Sequence, residues 1–143
     1  MKRYVGVKLI NAKPMTRLEY NNFRGWDLPK DENGSDKGFI VEYVDGGKAN
    51  TKEYEGYISW SPEDVFNNSY FIVPDYGVNY SIKDNYEDYQ KRVCEEYSQL
   101  NDKIEKLSKY LEKNNNDLLS KQLLFMSGYA VMLEKRIEGF CCD

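Results

Sequence analysis

The sequence predicts an α+β fold. A small antiparallel sheet with short helices is expected over residues 1–83, and an antiparallel two-helix hairpin over 84–143, the two packed as one unit. Three observations predict this. Before residue 84, short apolar runs alternate with polar residues. Eight of the ten glycines and all four prolines also lie there. Beyond it, apolar residues recur at steps of three and four within charge-rich sequence.

The elements follow in chain order. Tyr4–Lys13 alternates, with Val5, Val7 and Leu9 on one face, which suits a half-buried strand. Thr16 and Glu19 have capping-box spacing, so a short helix starts there, and Gly25 can stop it. Residues 29–37 are polar and read as a surface loop. Phe39–Val44 is a second strand, followed by a turn at Asp45-Gly46-Gly47. Tyr54–Trp60 is a third, aromatic strand. Ser61-Pro62-Glu63-Asp64 opens another helix, with Ser61 as cap and Pro62 in the first turn. Tyr70–Val73 is a fourth strand candidate, and Pro74–Asp84 a connector.

In the first long helix, Tyr86, Val93, Leu100 and Leu107 are spaced by seven, and so are Tyr97, Ile104 and Leu111. Asn114-Asn115-Asn116 makes the turn, since Asn tolerates left-handed geometry. The second helix carries Leu119, Leu123, Met126, Ala130, Leu133, Ile137 and Phe140 on its seam. It also carries Leu118, Leu124, Phe125, Tyr129 and Met132 off the seam. These need either the sheet or another subunit to cover them.

Composition narrows the function. The chain has 143 residues, is 41% hydrophobic and 31% charged, and has net charge −4. Its mean hydropathy is −0.77. A mildly acidic chain is a poor candidate for gripping duplex nucleic acid. No run approaches the ~18 apolar residues of a spanning helix. The basic start leads into a short run that reads as a strand and not a signal peptide, so the chain is expected in the cytoplasm.

There is no histidine, which removes the usual general base and the commonest metal ligand. Cys94, Cys141 and Cys142 lack zinc-site spacing and read as reduced thiols. Phosphate-cradling glycine motifs and the nucleophile elbow are absent. No enzyme, cofactor or metal is therefore expected. A hydrolase would have only a general supply of Asp and Glu to draw on.

Two sets of residues resemble known phage proteins. Asp88–Val93 (DYQKRV), then Leu100, Lys103, Ile104 and Leu107, then Gln122, Met126, Tyr129, Leu133, Arg136 and Ile137, resemble the hairpin shared by two anti-defence families. These are the Thoeris anti-defence family of the first type and the anti-CBASS sponge of the second type. The first half, PMTR–EYN–RGW–LP, then GFIVEYVDGG and GYISWSPEDVF, resembles a module common in phage proteins. A sheet-bearing half joined to this hairpin is similar to the Thoeris type.

The resemblance implies a protein that is not an enzyme and that works in the cytoplasm of an infected host. Such proteins bind cyclic ADP-ribose signals made by TIR-domain proteins and keep them from their effector. Some members also hold cyclic di- or trinucleotides, at a separate site built by oligomer assembly. Homo-oligomers, as dimers or hexamer-like assemblies, are implied as well.

Such a ligand needs cations or backbone N–H groups for phosphate and an aromatic or Arg plane for the base. With 13 Tyr and 2 Trp the chain can supply these. Arg24 reads as a helix-end cation or a phosphate contact. Trp26 and Trp60 read as core or as base-stacking walls. Tyr89 and Arg92 sit on adjacent turns. In the related hairpins, a tyrosine near Tyr89 and a lysine further along take part in nucleotide binding; here the lysine would be Lys103 or Lys106. Lys109 is within reach of the same groove, and Arg136 suits a phosphate or a neighbouring acid. The alternative to a sponge is a hairpin that inhibits a host protein by direct contact.

Overall fold

Pairing within the sheet decides where its strands begin. The computed structural model describes residues 1–73 and 80–140. Part of the expected connector and both Cys141 and Cys142 lie outside the described residues. The chain divides into two units. One, the hairpin unit, comprises Met1–Val7 and Ile72–Asp143; the other, the sheet unit, is Lys8–Phe71.

The sheet unit carries three antiparallel strands in the order β1-β2-β3: β1 (Ile10–Pro14), β2 (Gly38–Tyr43) and β3 (Tyr57–Pro62). β1 starts later than its alternating sequence suggests. Its partner β2 ends at Tyr43, opposite Ile10, so Leu9 and the residues before it have no ladder to join. Tyr4 and Val5 are exposed. β3 also starts late, at Tyr57, because Tyr57 is the residue opposite Tyr43.

Asp45-Gly46-Gly47 opens a long loop and not a tight turn, with Gly46 at a positive φ of 87°. Asn50 anchors that loop by imitating a strand partner: its side chain donates to the Ile58 carbonyl (2.9 Å) and accepts from the Ile58 N–H (2.8 Å). Tyr70–Val73 forms no strand.

Helix α1 (Arg17–Arg24) has the expected capping box. The Glu19 carboxylate accepts from the Thr16 N–H at 2.7 Å, and the Thr16 hydroxyl accepts from the Glu19 N–H at 3.3 Å. Gly25 closes the helix at φ 69°. Its N–H and that of Trp26 donate to the Asn22 and Asn21 carbonyls, which satisfies the last turn. Helix α2 (Glu63–Ser69) follows β3 directly, with Pro62 in the cap position. Ser61 is still strand, so it does not cap the helix as expected.

Alternation sets the faces of the sheet. Ile40, Ile58 and Trp60 form one face with Tyr20 of α1 and with Met15. On the other face, Phe39 stacks on Phe66 of α2 at 4.0 Å.

The hairpin unit holds helix α3 (Asp88–Leu111) and helix α4 (Asp117–Phe140). The Glu87 N–H donates to the Gln90 side chain at 2.8 Å, starting α3. The asparagine turn works through side chains. Asn114 donates to the Tyr110 carbonyl (2.8 Å) and Asn116 accepts from the Leu119 N–H (3.0 Å). No non-glycine residue among those described has positive φ, so left-handed asparagine is not what turns the chain.

Val93, Tyr97, Ile104, Ala130, Leu133 and Ile137 form the buried core, with Leu100, Leu123, Met126 and Phe140 packed against it. The seam of α3 also takes in Cys94 and Asn101, both buried. Leu118, Phe125, Tyr129 and Met132 of α4 remain exposed. No helix among the described residues is long and apolar enough to cross a membrane.

Candidate functional site

The nine candidate residues fall into two groups, one on each unit. In the sheet unit, Arg24 occupies the last turn of α1 and Trp26 follows the glycine cap. The Arg24 guanidinium lies 4.2 Å from the Trp26 ring centroid and donates to the Tyr20 hydroxyl at 3.1 Å. Tyr20 and Trp26 meet edge to face at 6.0 Å. The buried Tyr20 thus fixes a guanidinium and an indole together, and Trp26 is half exposed. Arg24 has no ion pair among the described residues.

Trp60 is placed differently. Its indole N–H donates to the Met15 carbonyl at 2.8 Å, and the Arg17 guanidinium sits 5.0 Å from its ring centroid. Arg17 is itself held by Glu32 through two hydrogen bonds of 2.8 Å. The ring also lies against Gly38, where an added Cβ would be 2.4 Å from it. Trp60 is engaged on all these sides as part of the sheet core.

The same unit has a recess of about 470 Å3 at the β2–β3 loop. Glu42, Glu53 and Glu55 line it. Glu42 accepts from the Gly56 N–H at 3.1 Å, and this bond, with help from Asn11, holds its carboxyl below the ordinary value. Three carboxylates make the recess unsuited to a phosphate-bearing ligand.

In the hairpin unit, Tyr89, Arg92, Lys103 and Lys106 share one row of α3. The steps 89, 92, 96, 99, 103, 106 follow the three-and-four rule for a single helical face. Two contacts place Tyr89 and Glu96 of this row on the side of the hairpin where α3 meets α4. Tyr89 packs edge to face on Phe140 at 5.8 Å, and the Tyr129 hydroxyl donates to the Glu96 carboxylate. That bond is the largest cause of a raised Tyr129 pKa; the charge of Arg136 acts in the opposite sense. Arg136, seven residues after Tyr129, lies on the same face of α4 as Tyr129.

Arg92, Lys103 and Lys106 are exposed and form no ion pair among the described residues. The ion pairs of Arg92 with Glu95 and Glu96 that a solvated helix face would favour are thus not formed. Lys109 differs from the other three: it pairs with Glu105 one turn earlier at 2.6 Å.

Two members of this face were invisible as site residues in the sequence. Tyr129 reads there as an off-seam apolar residue, and Glu96 as one acid among many. Only the packing of α4 on α3 joins them. No group of three or more His, Cys, Asp or Glu that could hold a metal ion occurs among the described residues.

A long antiparallel helical hairpin joined to a small sheet unit defines the structural class. A family profile described as Sequestin matches residues 87–139, which takes in nearly all of α3 and α4. The "Uncharacterized 7.5 kDa protein in denB-rIIB intergenic region" of Enterobacteria phage T4 is 47% identical over 60 residues, covering 36% of this chain and 94% of that protein. The chain belongs to the Sequestin family. No solved structure matches it significantly.

Proposed function

We propose that the protein is a phage anti-defence sponge. It binds a cyclic nucleotide immune signal in the host cytoplasm and holds it intact. The favoured ligand is a glycocyclic ADP-ribose made by TIR-domain proteins, and cyclic di- or trinucleotides are further candidates. The observation that carries this is the row Tyr89, Arg92, Lys103 and Lys106, which lies inside the family match. It sets Arg92, unpaired among the described residues, one turn from the exposed Tyr89 ring, with Lys103 and Lys106 about three to four turns beyond Arg92.

The chemistry is sufficient for capture. Stacking contributes ~1–3 kcal/mol per base, and each charge-assisted hydrogen bond ~1.5–3 kcal/mol. Three or four such contacts on a preformed face reach about −12 kcal/mol, the nanomolar range. Retention without cleavage fits a chain that lacks histidine. The family name, Sequestin, points the same way.

The apolar stripe of Leu118, Phe125, Tyr129 and Met132 on α4 supports self-association, as a dimer or a hexamer-like assembly. The same stripe favours a second reading, a hairpin that blocks a host protein.

The test incubates stoichiometric protein with the cyclic ADP-ribose isomer, removes free ligand, then heats the complex. Intact signal released from denatured protein is the expected result. Degraded signal means an enzyme. No capture of any cyclic nucleotide, with a host protein retained on the wild-type hairpin but not on Phe125→Asp, favours the second reading.

A further inference from the structure

We propose that Glu96 is a specificity-determining residue: it reads the free vicinal hydroxyls of the captured ring. This deepens the sponge reading and rests on it.

Glu96 lies in the middle of a row that is otherwise cationic or neutral, between Arg92 and Lys103. An acid there opposes the binding of any phosphate, so a face built only for negative charge would do better without it. The hairpin instead fixes it. Tyr129, from the other helix, donates its hydroxyl to one Glu96 oxygen. Tyr129 is a positioning residue: it sets the carboxylate at the line where the helices meet and uses only part of its capacity. A carboxylate has about four lone-pair sites, so the second oxygen remains for a ligand.

A carboxylate accepts and never donates when ionised. Its natural partner is a vicinal ribose diol, which offers two adjacent donors. Phosphate oxygens repel it. The combination of flanking cations with one fixed acid therefore fits a ring that presents phosphate and free hydroxyls side by side. It disfavours a ring whose hydroxyls are mostly taken up in phosphodiester linkages. A glycocyclic ADP-ribose is of the first kind: its terminal ribose keeps a vicinal diol and its adenosine ribose one further hydroxyl. Cyclic di-AMP is of the second, with one 2′-hydroxyl per sugar.

The test is calorimetric titration of the full chain with these two probes. Wild type, Glu96→Gln and Tyr129→Phe are compared. Glu96→Gln keeps the size and one acceptor but removes the charge. Cyclic ADP-ribose affinity is expected to fall about tenfold, the cost of losing charge assistance to a donor pair. Cyclic di-AMP affinity is expected to stay level or rise. Tyr129→Phe, which releases the carboxylate but keeps it, is expected to weaken cyclic ADP-ribose binding less. Equal changes with both probes, or none, overturn the role of Glu96 while leaving the sponge reading in place. Wild-type protein that captures neither probe overturns both.

Discussion

The Arg24 guanidinium rests 4.2 Å from the centre of the Trp26 ring, and no carboxylate among the described residues pairs with it. The glycine between them makes the contact, since Gly25 turns the chain left-handed and brings residue 26 back over the helix end. Arg24→Ala is therefore expected to cost little stability, ~0.5–1 kcal/mol for an exposed cation–ring contact. If this group touches ligand phosphate, capture weakens at least about tenfold, the loss of one charge-assisted bond. Thermal midpoint and ligand titration on the same sample separate the two effects. A large fall in midpoint with unchanged capture assigns Arg24 to the fold alone.

Gly38→Ala is expected to disrupt the sheet unit. The added methyl would lie 2.4 Å from both the Ser61 carbonyl oxygen and the Trp60 ring. Neither can yield easily, because Ser61 is paired in the sheet and the Trp60 ring is held through its N–H by Met15. Overpacking costs about 1–3 kcal/mol, and more against backbone. Urea unfolding followed by tryptophan fluorescence should show an earlier transition. An unchanged midpoint would mean that the Trp60 ring is free to move aside.

Asn101→Leu should stabilise the hairpin. The Asn101 side chain is 5% exposed, and neither its amide nitrogen nor its oxygen has a hydrogen-bond partner among the described residues. Replacing an unsatisfied amide by an apolar group of similar size recovers about 1–3 kcal/mol. A higher midpoint in urea at unchanged slope is the expected outcome. A lower midpoint with a smaller solution mass would instead show that a second copy satisfies the amide.

Stability should fall above pH 10 in a way that depends on Tyr80. Its hydroxyl donates to Glu134 at 2.9 Å. Burial first, and then that bond and the Glu134 charge, raise its pKa above the ordinary 10.0. Tyr129 shifts in the same direction through Glu96. Between the ordinary value and the raised ones, the native chain keeps protons that the unfolded chain has released. Stability is then complete below pH 10 and declines as pH rises. Tyr80→Phe should flatten that decline, at a neutral-pH cost of about 0.5–1.5 kcal/mol for the lost bond. Unfolding midpoints measured from pH 8 to 11.5 check it; identical slopes for both proteins would contradict it.

The features legible in the sequence are those fixed by neighbours along the chain. The Thr16–Glu19 box and the Gly25 stop involve residues a turn apart, and both form as expected. The three-and-four spacing of Tyr97, Ile104, Leu133 and Ile137 likewise predicts the buried seam of the hairpin. Strand limits were less legible, because they belong to the partner strand: Leu9 alternates as well as Lys13 does, but nothing stands opposite it. Ser61 looks like a cap only while β3 is assumed to end at Trp60.

The candidate site divides along the same line. The α3 row of Tyr89, Arg92, Lys103 and Lys106 can be counted from the sequence. The union of Glu96 with Tyr129 cannot, since 33 residues separate them. Trp60 and Trp26 look alike as letters, yet one is taken up by Gly38, Arg17 and Met15 and the other stands half in solvent.

The order of the two units along the chain has a consequence for how they can be separated. The sheet unit begins at Lys8 and ends at Phe71, so the chain leaves the hairpin unit once and returns to it once. The family match falls wholly after that excursion, and the phage T4 relative corresponds to little more than a third of the chain. A segment nested in this way is joined to the rest of the chain at two points only, so excising it as a whole leaves every position of α3 and α4 unchanged in sequence.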